Sequence, residues 1–510
     1  MIACLVKIAF RTDASSQIGT GHFMRCLTLA SELKEQGEQI RFISRNLPAH
    51  LIGMLEERSI EYLHLRTDDI AEPGHELAHA KWLGTSQAQD AQATTAVLAD
   101  HLWDWIVVDH YALDMRWESS VRACAKQLMV IDDLADRQHD CDVLLDQNLY
   151  ADMQARYSGK VSAQCQLLLG PRYALLTENF RRLREQLKPR AGAVERILVF
   201  FGGVDADNYT SLAIEAMAEL NSTRHVDVVI GLQHPFRAQI VHSCAERGYG
   251  CYVQTPRMAE LMAEADLAIG AGGTSMWERC CLGLPALSLC VAENQRRQIA
   301  DAAEMGLLYA PTRGQNVVDT IVRHTTLLLE NPALLKMIST TAMNAVDGRG
   351  AKRIVNSMTL GAIDIRRVNA HDSLQIFEWR NHPSIRAVSR DSALIAWKDH
   401  KTWFDAAIKD KDRELLIGVC ESQPMGVVRF DRVGDDAEVS IYLVPDDRFI
   451  GQGRNLLLSA ERWLKTNRPD IKCLLAIVLG ENAASNGLFL GSNYKKLSTS
   501  YKKVLLTEKW

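Results

Sequence analysis

Residues 6–27, VKIAFRTDASSQIGTGHFMRCL, decide how the beginning of the chain folds. The apolar run at residues 6–10 has the length of a buried strand, and from His22 onward the apolar residues recur at helical spacing. Between them stands Gly19-Thr20-Gly21, whose glycines allow a tight turn and a close approach to a ligand. The stretch therefore predicts a strand, a glycine turn and a helix, which is the opening unit of a parallel α/β domain.

The same alternation continues along the next 300 residues. Apolar runs at residues 39–44, 105–109 and 128–132 are separated by amphipathic stretches, and a second series begins at 196–201 and continues at 226–230, 267–270 and 286–290. Pro and Gly residues cluster near residues 170–190, as expected of a connection between domains. The sequence thus predicts two doubly wound Rossmann-like domains, at residues 1–175 and 176–350.

Residues 362–510 have a different pattern. Strands are predicted at 363–368, 414–420, 424–431, 436–444 and 471–479, and helices at 370–379, 397–409 and 454–465. Because strands follow one another here without intervening helices, this part predicts an α+β domain with an antiparallel sheet.

The composition limits the classes of partner. The 510 residues are 47% hydrophobic and 24% charged with a net charge of -5, which is ordinary for a globular enzyme and gives no support to a nucleic-acid partner. No apolar run approaches the roughly 18 residues of a membrane helix. The 12 cysteines show no Cys-x-x-Cys spacing and are expected to be reduced. We therefore expect a cytoplasmic protein that binds neither membrane nor nucleic acid.

His22 is the candidate catalytic residue of the first half. At the first turn of a helix, the positive end of the helix dipole disfavours the imidazolium form, and a neutral imidazole can accept a proton from water. The alternative is a histidine that only caps the turn.

A second glycine motif, Gly272-Gly273-Thr274-Ser275, follows the predicted strand at 267–270 and opens a helix. Backbone N–H groups at such a position can bind a phosphate. A simpler role, capping of the helix by Thr274 or Ser275, applies in either case.

Other polar residues follow predicted strands, where ligands of open α/β folds bind. These residues are Asp109 and Tyr111 in the first half and Gly203, Asn294 and Gln295 in the second. Two apparent metal motifs are discounted. Asp205-Ala206-Asp207 follows a glycine turn, where a helix cap is the simpler role, and residues 139–142 alternate between the two faces of a strand. No metal is expected.

Residues 11–27 closely resemble the signature of the UDP-2,4-diacetamido-2,4,6-trideoxy-β-L-altropyranose hydrolases of pseudaminic acid biosynthesis, and the similarity continues to about residue 345. The resemblance implies the GT-B fold of the MurG-type glycosyltransferases and a base, His22, that activates water at the anomeric carbon and releases UDP. In glycosyltransferases of this fold an acidic residue, here Glu278, holds the ribose. The implied UDP-sugar site comprises Asp13, Gly19, Gly21, Arg25, Asp109, Tyr111, Gly203, Gly273, Thr274, Ser275, Glu278, Asn294 and Gln295.

The segment RFIGQG at residues 448–453 matches the Arg-x-x-Gly-x-Gly loop of the GNAT acetyltransferases. The resemblance implies acetyl-CoA as cosubstrate, bound through Arg448, Gly451, Gly453, Arg454 and Asn482. Residues 379–383, WRNHP, resemble a segment of the acetyltransferases that act on UDP-4-amino-4,6-dideoxy-N-acetyl-β-L-altrosamine, the step before the hydrolase. Together the two resemblances imply a bifunctional enzyme whose partners are UDP-activated amino sugars and acetyl-CoA.

The acetyltransferase resemblance has one departure. Many GNAT enzymes have a tyrosine as the acid for the departing thiolate, and Phe489 occupies that position here, with Tyr494 five residues further on. Glu438 and His382 are candidate bases or substrate contacts, for which a solvated carboxylate and a packed histidine are the alternatives.

Other functions remain open from the sequence. The first half has the alternatives of a UDP-sugar glycosyltransferase, a hydrolase of the legionaminic acid pathway, whose substrate differs in ring configuration, and an inactive UDP-sugar-binding scaffold. The last third has the alternatives of an acetyltransferase for another amine and a CoA-binding regulatory module.

Overall fold

The structure is a computed structural model that describes residues 5–15, 17–66, 77–220, 223–312, 314, 316–359, 363–478, 482–492 and 494–497. The chain divides into two compact units, Met1–Val355 and Asn356–Trp510. Each unit contains its own clusters of buried apolar side chains. Within the described ranges, no helix combines the length and the apolar character needed to cross a membrane.

The first sheet of unit Met1–Val355 has seven described strands, all paired in parallel in the order β3-β2-β1-β4-β5-β6-β7. The strands are β1 Lys7–Thr12, β2 Gln39–Ser44, β3 Glu61–His64, β4 Trp103–Asp109, β5 Ala125–Ile131, β6 Val143–Asp146 and β7 Gln166–Leu169. The chain runs outward from β1 to β3 and returns to β4 on the other side of β1. The carboxyl ends of β1 and β4 therefore border the crevice where open α/β sheets bind ligands.

Helices connect these strands: α1 Gly21–Glu35, α2 Ala49–Glu56, α3 Gln87–Leu98, α4 Met115–Val121, α5 Met153–Arg156 and α6 Glu178–Arg184. The predicted strand, glycine turn and helix at the start of the chain are confirmed. Ile8, Ala9 and Phe10 are completely buried in β1. Gly19 has φ +77°, a left-handed conformation that favours glycine, and α1 begins two residues later.

The second sheet, also parallel, has the order β10-β9-β8-β11-β12 in the described residues. Its strands are β8 Arg196–Phe200, β9 His225–Ile230, β10 Gly250–Val253, β11 Leu267–Ala271 and β12 Ala286–Leu289. The helices are α7 Tyr209–Glu219, α8 Arg237–Arg247, α9 Met258–Glu264, α10 Ser275–Cys281, α11 Arg296–Glu304, α12 Val317–Leu329, α13 Pro332–Ala345 and α14 Gly350–Thr359. Two parallel α/β sheets confirm the predicted doubly wound architecture.

One apolar cluster joins the two α/β halves into a single compact unit. Leu149, Leu176 and Phe180 pack with buried side chains of α9, α10 and α13, among them the fully buried Trp277. Burial of this shared surface stabilises one arrangement of the two sheets.

Unit Asn356–Trp510 has a sheet of order β13-β14-β15-β16-β17, formed by Asp364–Arg367, Arg413–Cys420, Gln423–Val433, Asp436–Leu443 and Cys473–Ala476. Its helices, beyond the end of α14, are α15 Ser373–Asn381, α16 Pro383–Arg386, α17 Trp397–Ala407, α18 Gly453–Asn467 and α19 Ala483–Gly491. The predicted antiparallel pairing is correct for β13 to β16, whereas β16 and β17 are parallel, so the sheet is mixed.

The parallel pair separates early. β16 and β17 pair only over four positions, from Asp436 opposite Cys473 to Val439 opposite Ala476. β16 continues for four residues, to Leu443, without a partner in β17. In the part of the chain that the structure describes, no strand pairs with residues 440–443 on the side of β17.

Candidate functional site

The His22 side chain lies at the crevice of the first sheet. It stands at the second position of α1, and its Nδ1 is 2.5 Å from Oδ1 of Asp109, the last residue of β4. His22 is only 8% exposed and Asp109 is completely buried. The two residues are 87 positions apart in sequence and meet because β1 and β4 are neighbouring strands.

Arg25, one helical turn after His22, orients the same carboxylate. Its Nε donates to Oδ2 of Asp109 at 2.5 Å and its Nη2 to Oδ1 at 2.7 Å, while Nη1 donates to Asp133 at 3.0 Å. Burial alone favours a neutral Asp109, but the charge of Arg25 and the hydrogen bonds from Arg25 and His22 outweigh it and hold the pKa of Asp109 well below its usual range. Asp109 is therefore an anion at neutral pH.

The ionised Asp109 fixes the proton of the His22 ring. A carboxylate can only accept, so Nδ1 carries the hydrogen and the lone pair resides on Nε2. Nε2 has no hydrogen-bond partner among the described residues. This carboxylate–histidine pair can take a proton from a water molecule and stabilise the resulting imidazolium. The sequence prediction from the helix dipole omitted this contribution of Asp109.

An aromatic wall, which we define as His79, Trp82 and Tyr111, lies beside His22. The Tyr111 ring meets His22 edge-on at 4.4 Å between centroids, Trp82 stacks on Tyr111 at 5.8 Å, and His79 lies 4.3 Å from Trp82. Trp82 and His79 are partly exposed, so they offer apolar surface to a ligand near His22. Sequence reasoning missed both residues, because no motif surrounds them.

Tyr111 and Asp13, both predicted to bind substrate, have protein partners. Burial and the Asp133 carboxylate raise the pKa of Tyr111 well above its usual value, and its hydroxyl donates to Asp133. Asp13 is completely buried, where Arg11, His110 and the backbone N–H of Arg45 contact its carboxylate. Asp13 thus ties β1 to the segment after β2.

The second glycine motif lies where it was predicted, between β11 and α10. A side chain at Gly272 would collide with Ile299 of α11, so glycine is required for this packing. Thr274 precedes α10, but contrary to expectation its side chain makes no capping hydrogen bond. Gly273, Thr274 and Ser275 thus form an open helix start after a parallel strand, the arrangement that binds phosphates.

Two polar side chains lie near this helix start. Glu278 is partly buried and has no hydrogen-bond partner within the described ranges, and burial raises its pKa to about 7. A Cβ on Gly273 would be 4.0 Å from Nε2 of Gln295, whose buried Oε1 lacks a partner in the same ranges. Unsatisfied buried acceptors of this kind are typical of sites that a ligand completes. The side chain of Asn294, the neighbouring predicted residue, lies outside the described residues.

The segment after β8 combines a predicted substrate contact with a discounted metal motif. The backbone of Gly203 lies against Gly231, at the ends of the neighbouring strands β8 and β9. Asp205 accepts the N–H groups of Tyr209 and Thr210 at 3.0 and 2.7 Å, at the start of α7. The Asp205 carboxylate therefore caps a helix, which is the simpler role expected from the sequence.

The glycine loop of the second unit leads directly into α18. Gly451 has φ +89°, Gly453 is the first residue of α18, and Arg454 donates to the carbonyl of Gly491 at 2.9 Å. Arg448 is held by Asp446 at 2.7 Å, and Asn482 caps α19 by accepting the N–H of Ser485 at 2.9 Å. Gly451, Gly453 and Arg454 thus lie at the start of α18 and Asn482 at the start of α19, while Arg448 lies five residues before α18.

A cavity of about 510 Å³ is lined by residues 438–442 of β16, including residues beyond the last pair with β17. Its lining includes Arg380, Arg429, Glu438, Tyr442, Trp403 and Phe489. Glu438 is paired with Arg390, and Nη1 of Arg380 is buried without a hydrogen-bond partner among the described residues. The volume is in the range of small-molecule sites.

Phe489, at the position of the usual acid, lines this cavity, and the Tyr494 ring packs against it at 5.0 Å. The Tyr494 hydroxyl donates to Glu461 at 2.8 Å, and burial with this contact raises its pKa. Tyr494 is therefore engaged elsewhere. His382 is exposed and caps α16 through Ser384, so it is not the packed histidine considered from the sequence.

Comparison with known proteins first gives the class. The model of the glycosyltransferase family 28 C-terminal domain matches residues 196–318, the range that holds β8 to β12 and Glu278. A UDP-glucosyltransferase of Polygonum tinctorium superposes on 70% of this chain and 99% of its own, with a TM-score of 0.50 and 11% identity. The first unit thus has a GT-B glycosyltransferase-like Rossmann fold, as predicted.

Two individual proteins are similar to this chain in sequence. The UDP-2,4-diacetamido-2,4,6-trideoxy-β-L-altropyranose hydrolase of Campylobacter jejuni is 23% identical over 302 residues, which is 59% of this chain and 97% of the hydrolase. An uncharacterized protein of Methanocaldococcus jannaschii is 22% identical and covers 96% of this chain and 97% of its own length. The chain is a homologue of the first over its matched part and of the second over its full length.

Proposed function

We propose that unit Met1–Val355 hydrolyses UDP-2,4-diacetamido-2,4,6-trideoxy-β-L-altropyranose to UDP and the free sugar. The observation that carries this proposal is the His22–Asp109 pair, with 2.5 Å between Nδ1 and Oδ1. His22 Nε2 has no hydrogen-bond partner among the described residues and lies at the carboxyl ends of the parallel strands. The homology to the Campylobacter jejuni hydrolase supports the substrate, and the glycosyltransferase family 28 match supports the UDP site.

The proposed reaction needs one base and one anion site. His22 Nε2 accepts a proton from water as the water oxygen bonds to the anomeric carbon, and the bond from that carbon to the diphosphate oxygen breaks. UDP leaves with the bonding electrons, and the proton on His22 passes to solvent. Asp109 stabilises the imidazolium form of His22. The backbone N–H groups of Gly273 to Ser275 bind the diphosphate, and the Glu278 carboxylate accepts hydrogen bonds from the ribose hydroxyls.

The experiment supplies the intact protein with this UDP-sugar and, separately, with its legionaminic-type ring isomer, and follows UDP. Release of UDP without any acceptor is expected, faster for the altrose isomer, and loss of release in His22→Ala. An absolute requirement for an acceptor alcohol would instead identify a glycosyltransferase, and turnover unchanged in His22→Ala would remove His22 as the base.

For unit Asn356–Trp510 we propose acetyl transfer from acetyl-CoA to the 4-amino group of the UDP-sugar precursor. The specific observation in favour is the end of the β16–β17 pairing at Val439, so that among the described residues no strand pairs with residues 440–443 on that side, where the cavity lies. Successive N–H groups at a glycine loop and helix start suit the diphosphate of the cosubstrate.

The charges of the cavity support an anionic acceptor. Among the described residues Arg380 donates one hydrogen bond, 3.2 Å to the carbonyl of Asp391, and Arg429 pairs with Asp431 through Nε. Their guanidinium groups offer donors to a phosphate, for which bidentate pairing is favourable. Burial raises the pKa of Tyr442 above its usual value despite these arginines, so its hydroxyl stays a donor.

The test uses the His22→Ala protein, so that hydrolysis does not consume the acetylated product, with acetyl-CoA and the 4-amino UDP-sugar. Release of free CoA that depends on the sugar is expected. Release of CoA with an unrelated amine but not with the UDP-sugar would assign another acceptor, and binding of CoA without transfer to any amine would indicate a regulatory module.

A further inference from the structure

Asn148 lies just beyond the end of β6 and is buried, with 7% of its surface exposed. Its side-chain oxygen accepts the indole N–H of Trp277 at 3.0 Å and the amide of Gln298 at 2.7 Å, and its nitrogen donates to Asp133 at 3.4 Å. The opposite amide orientation would set an N–H group against the indole N–H of Trp277 and an oxygen against the Asp133 carboxylate. The contacts therefore define one orientation.

These contacts join the two halves of the proposed active site. Trp277 precedes Glu278 in α10, and Gln298 lies in α11, three residues after Gln295. On the other side, Asp133 accepts a hydrogen bond from Arg25, and Arg25 also donates to the carboxylate of Asp109. A continuous series of buried polar contacts thus runs from the helices next to the UDP site to the partner of His22.

We propose that Asn148 is a positioning residue that couples the placement of α10 and α11, and with it nucleotide occupancy, to the orientation of Arg25 and the His22–Asp109 pair. This inference rests on the proposed hydrolysis. A ligand that orders α10 restrains the Asn148 oxygen, and the same planar amide fixes Asp133. Displacement of a base by about 1 Å is enough to slow a reaction strongly.

Two substitutions separate this role from simple packing. Asn148→Leu has a similar volume and removes all three contacts, whereas Asn148→Asp keeps the acceptor for Trp277 and Gln298 and sets a second carboxylate against Asp133. We expect each to lower kcat at least about tenfold, with the inhibition constant for UDP within about threefold of wild type. The matched control is Arg297→Ala, which removes the exposed ion pair with Asp152 between the same halves and should leave both quantities unchanged.

The outcomes are distinct. A kcat within about threefold of wild type in both variants overturns the proposal, and so does a UDP inhibition constant that weakens as much as kcat falls, because Asn148 would then only dock the halves. A thermal unfolding curve for each variant confirms that it is folded at the assay temperature.

A second readout does not depend on turnover. The exchange rate of the Cε1 proton of His22 with deuterium, followed by mass spectrometry, is measured with and without UDP. We expect UDP to change this rate in wild type and to change it less than half as much in Asn148→Leu; equal changes would overturn the coupling. If wild type releases no UDP from the sugar, the proposed hydrolysis fails, while this measurement still decides the role of Asn148.

Discussion

Replacement of Asp109 by asparagine tests the catalytic pair most directly. The two carboxylate oxygens accept three short hydrogen bonds, 2.5 Å from His22 Nδ1 and 2.5 and 2.7 Å from Arg25. An amide has one oxygen, so in Asp109→Asn its NH₂ group must face either Arg25 Nε or His22 Nδ1. If the NH₂ group faces His22 Nδ1, the hydrogen of the neutral ring moves to Nε2, and His22 can no longer act as a base. If the NH₂ group faces Arg25 Nε, His22 keeps its tautomer, but the imidazolium that forms has no negative charge beside it.

The magnitude follows from these losses. Removal of the acid that orients a catalytic histidine lowers kcat by about 10³ to 10⁴-fold, or about 4 to 5.5 kcal/mol of activation free energy. Because Arg25 loses a buried partner, the variant should also lose about 3–5 kcal/mol of stability. The matched control is Asp90→Asn, another completely buried carboxylate of the same half, which pairs with Arg11 and Arg45. It should lose similar stability and keep most of kcat.

The assay follows UDP release from the diacetamido UDP-sugar at saturating substrate, with urea unfolding of both variants measured in parallel. A kcat for Asp109→Asn within about tenfold of wild type would refute the role of Asp109. An equal loss of kcat in Asp90→Asn would show that destabilisation alone explains the effect.

Three further predictions concern binding. Burial raises the pKa of Glu278 to about 7, so its carboxylate ionises as the pH rises through about 7; UDP affinity, measured by calorimetry, should increase from about pH 6 to about pH 8 and lose this dependence in Glu278→Gln. Trp82→Ala should raise KM for the UDP-sugar about three- to tenfold, from loss of stacking, and leave UDP inhibition unchanged; an unchanged KM would place the sugar elsewhere. Arg380→Gln should raise KM for the amino sugar about tenfold but not KM for acetyl-CoA, and equal changes in both would contradict an acceptor contact.

The sequence predicts much of the fold because its signals are local. Strand β2 has the predicted bounds, 39–44, and α1 starts at the glycine turn, since apolar runs and glycines act over a few residues. The strands β3, β6, β7 and β10 were not predicted. Each has four residues, as do β12, β13 and β17, which were predicted because they lie within the longer patterned stretches 286–290, 363–368 and 471–479; β3 in addition has no completely apolar run.

The candidate site could be predicted only in part, because its partners are distant in sequence. The motif around His22 identifies the histidine, but the hydrogen bond that orients it as a base comes from Asp109, which the sequence assigned to the sugar. The aromatic wall and Asn148 carry no motif at all. In the second unit, the parallel β16–β17 pair depends on the return of the chain after α18, which residue patterns do not encode.

The amide of Asn148 has a consequence for how related sequences diverge. It satisfies an indole N–H in α10 and an amide in α11 with a single oxygen, so no one of the three positions can change chemistry without leaving a buried polar group unsatisfied. Relatives with this fold should therefore retain asparagine, tryptophan and glutamine at positions 148, 277 and 298 as a set, or exchange them together. We therefore expect these three positions to covary in an alignment of related sequences, so that the contact can be detected without a structure.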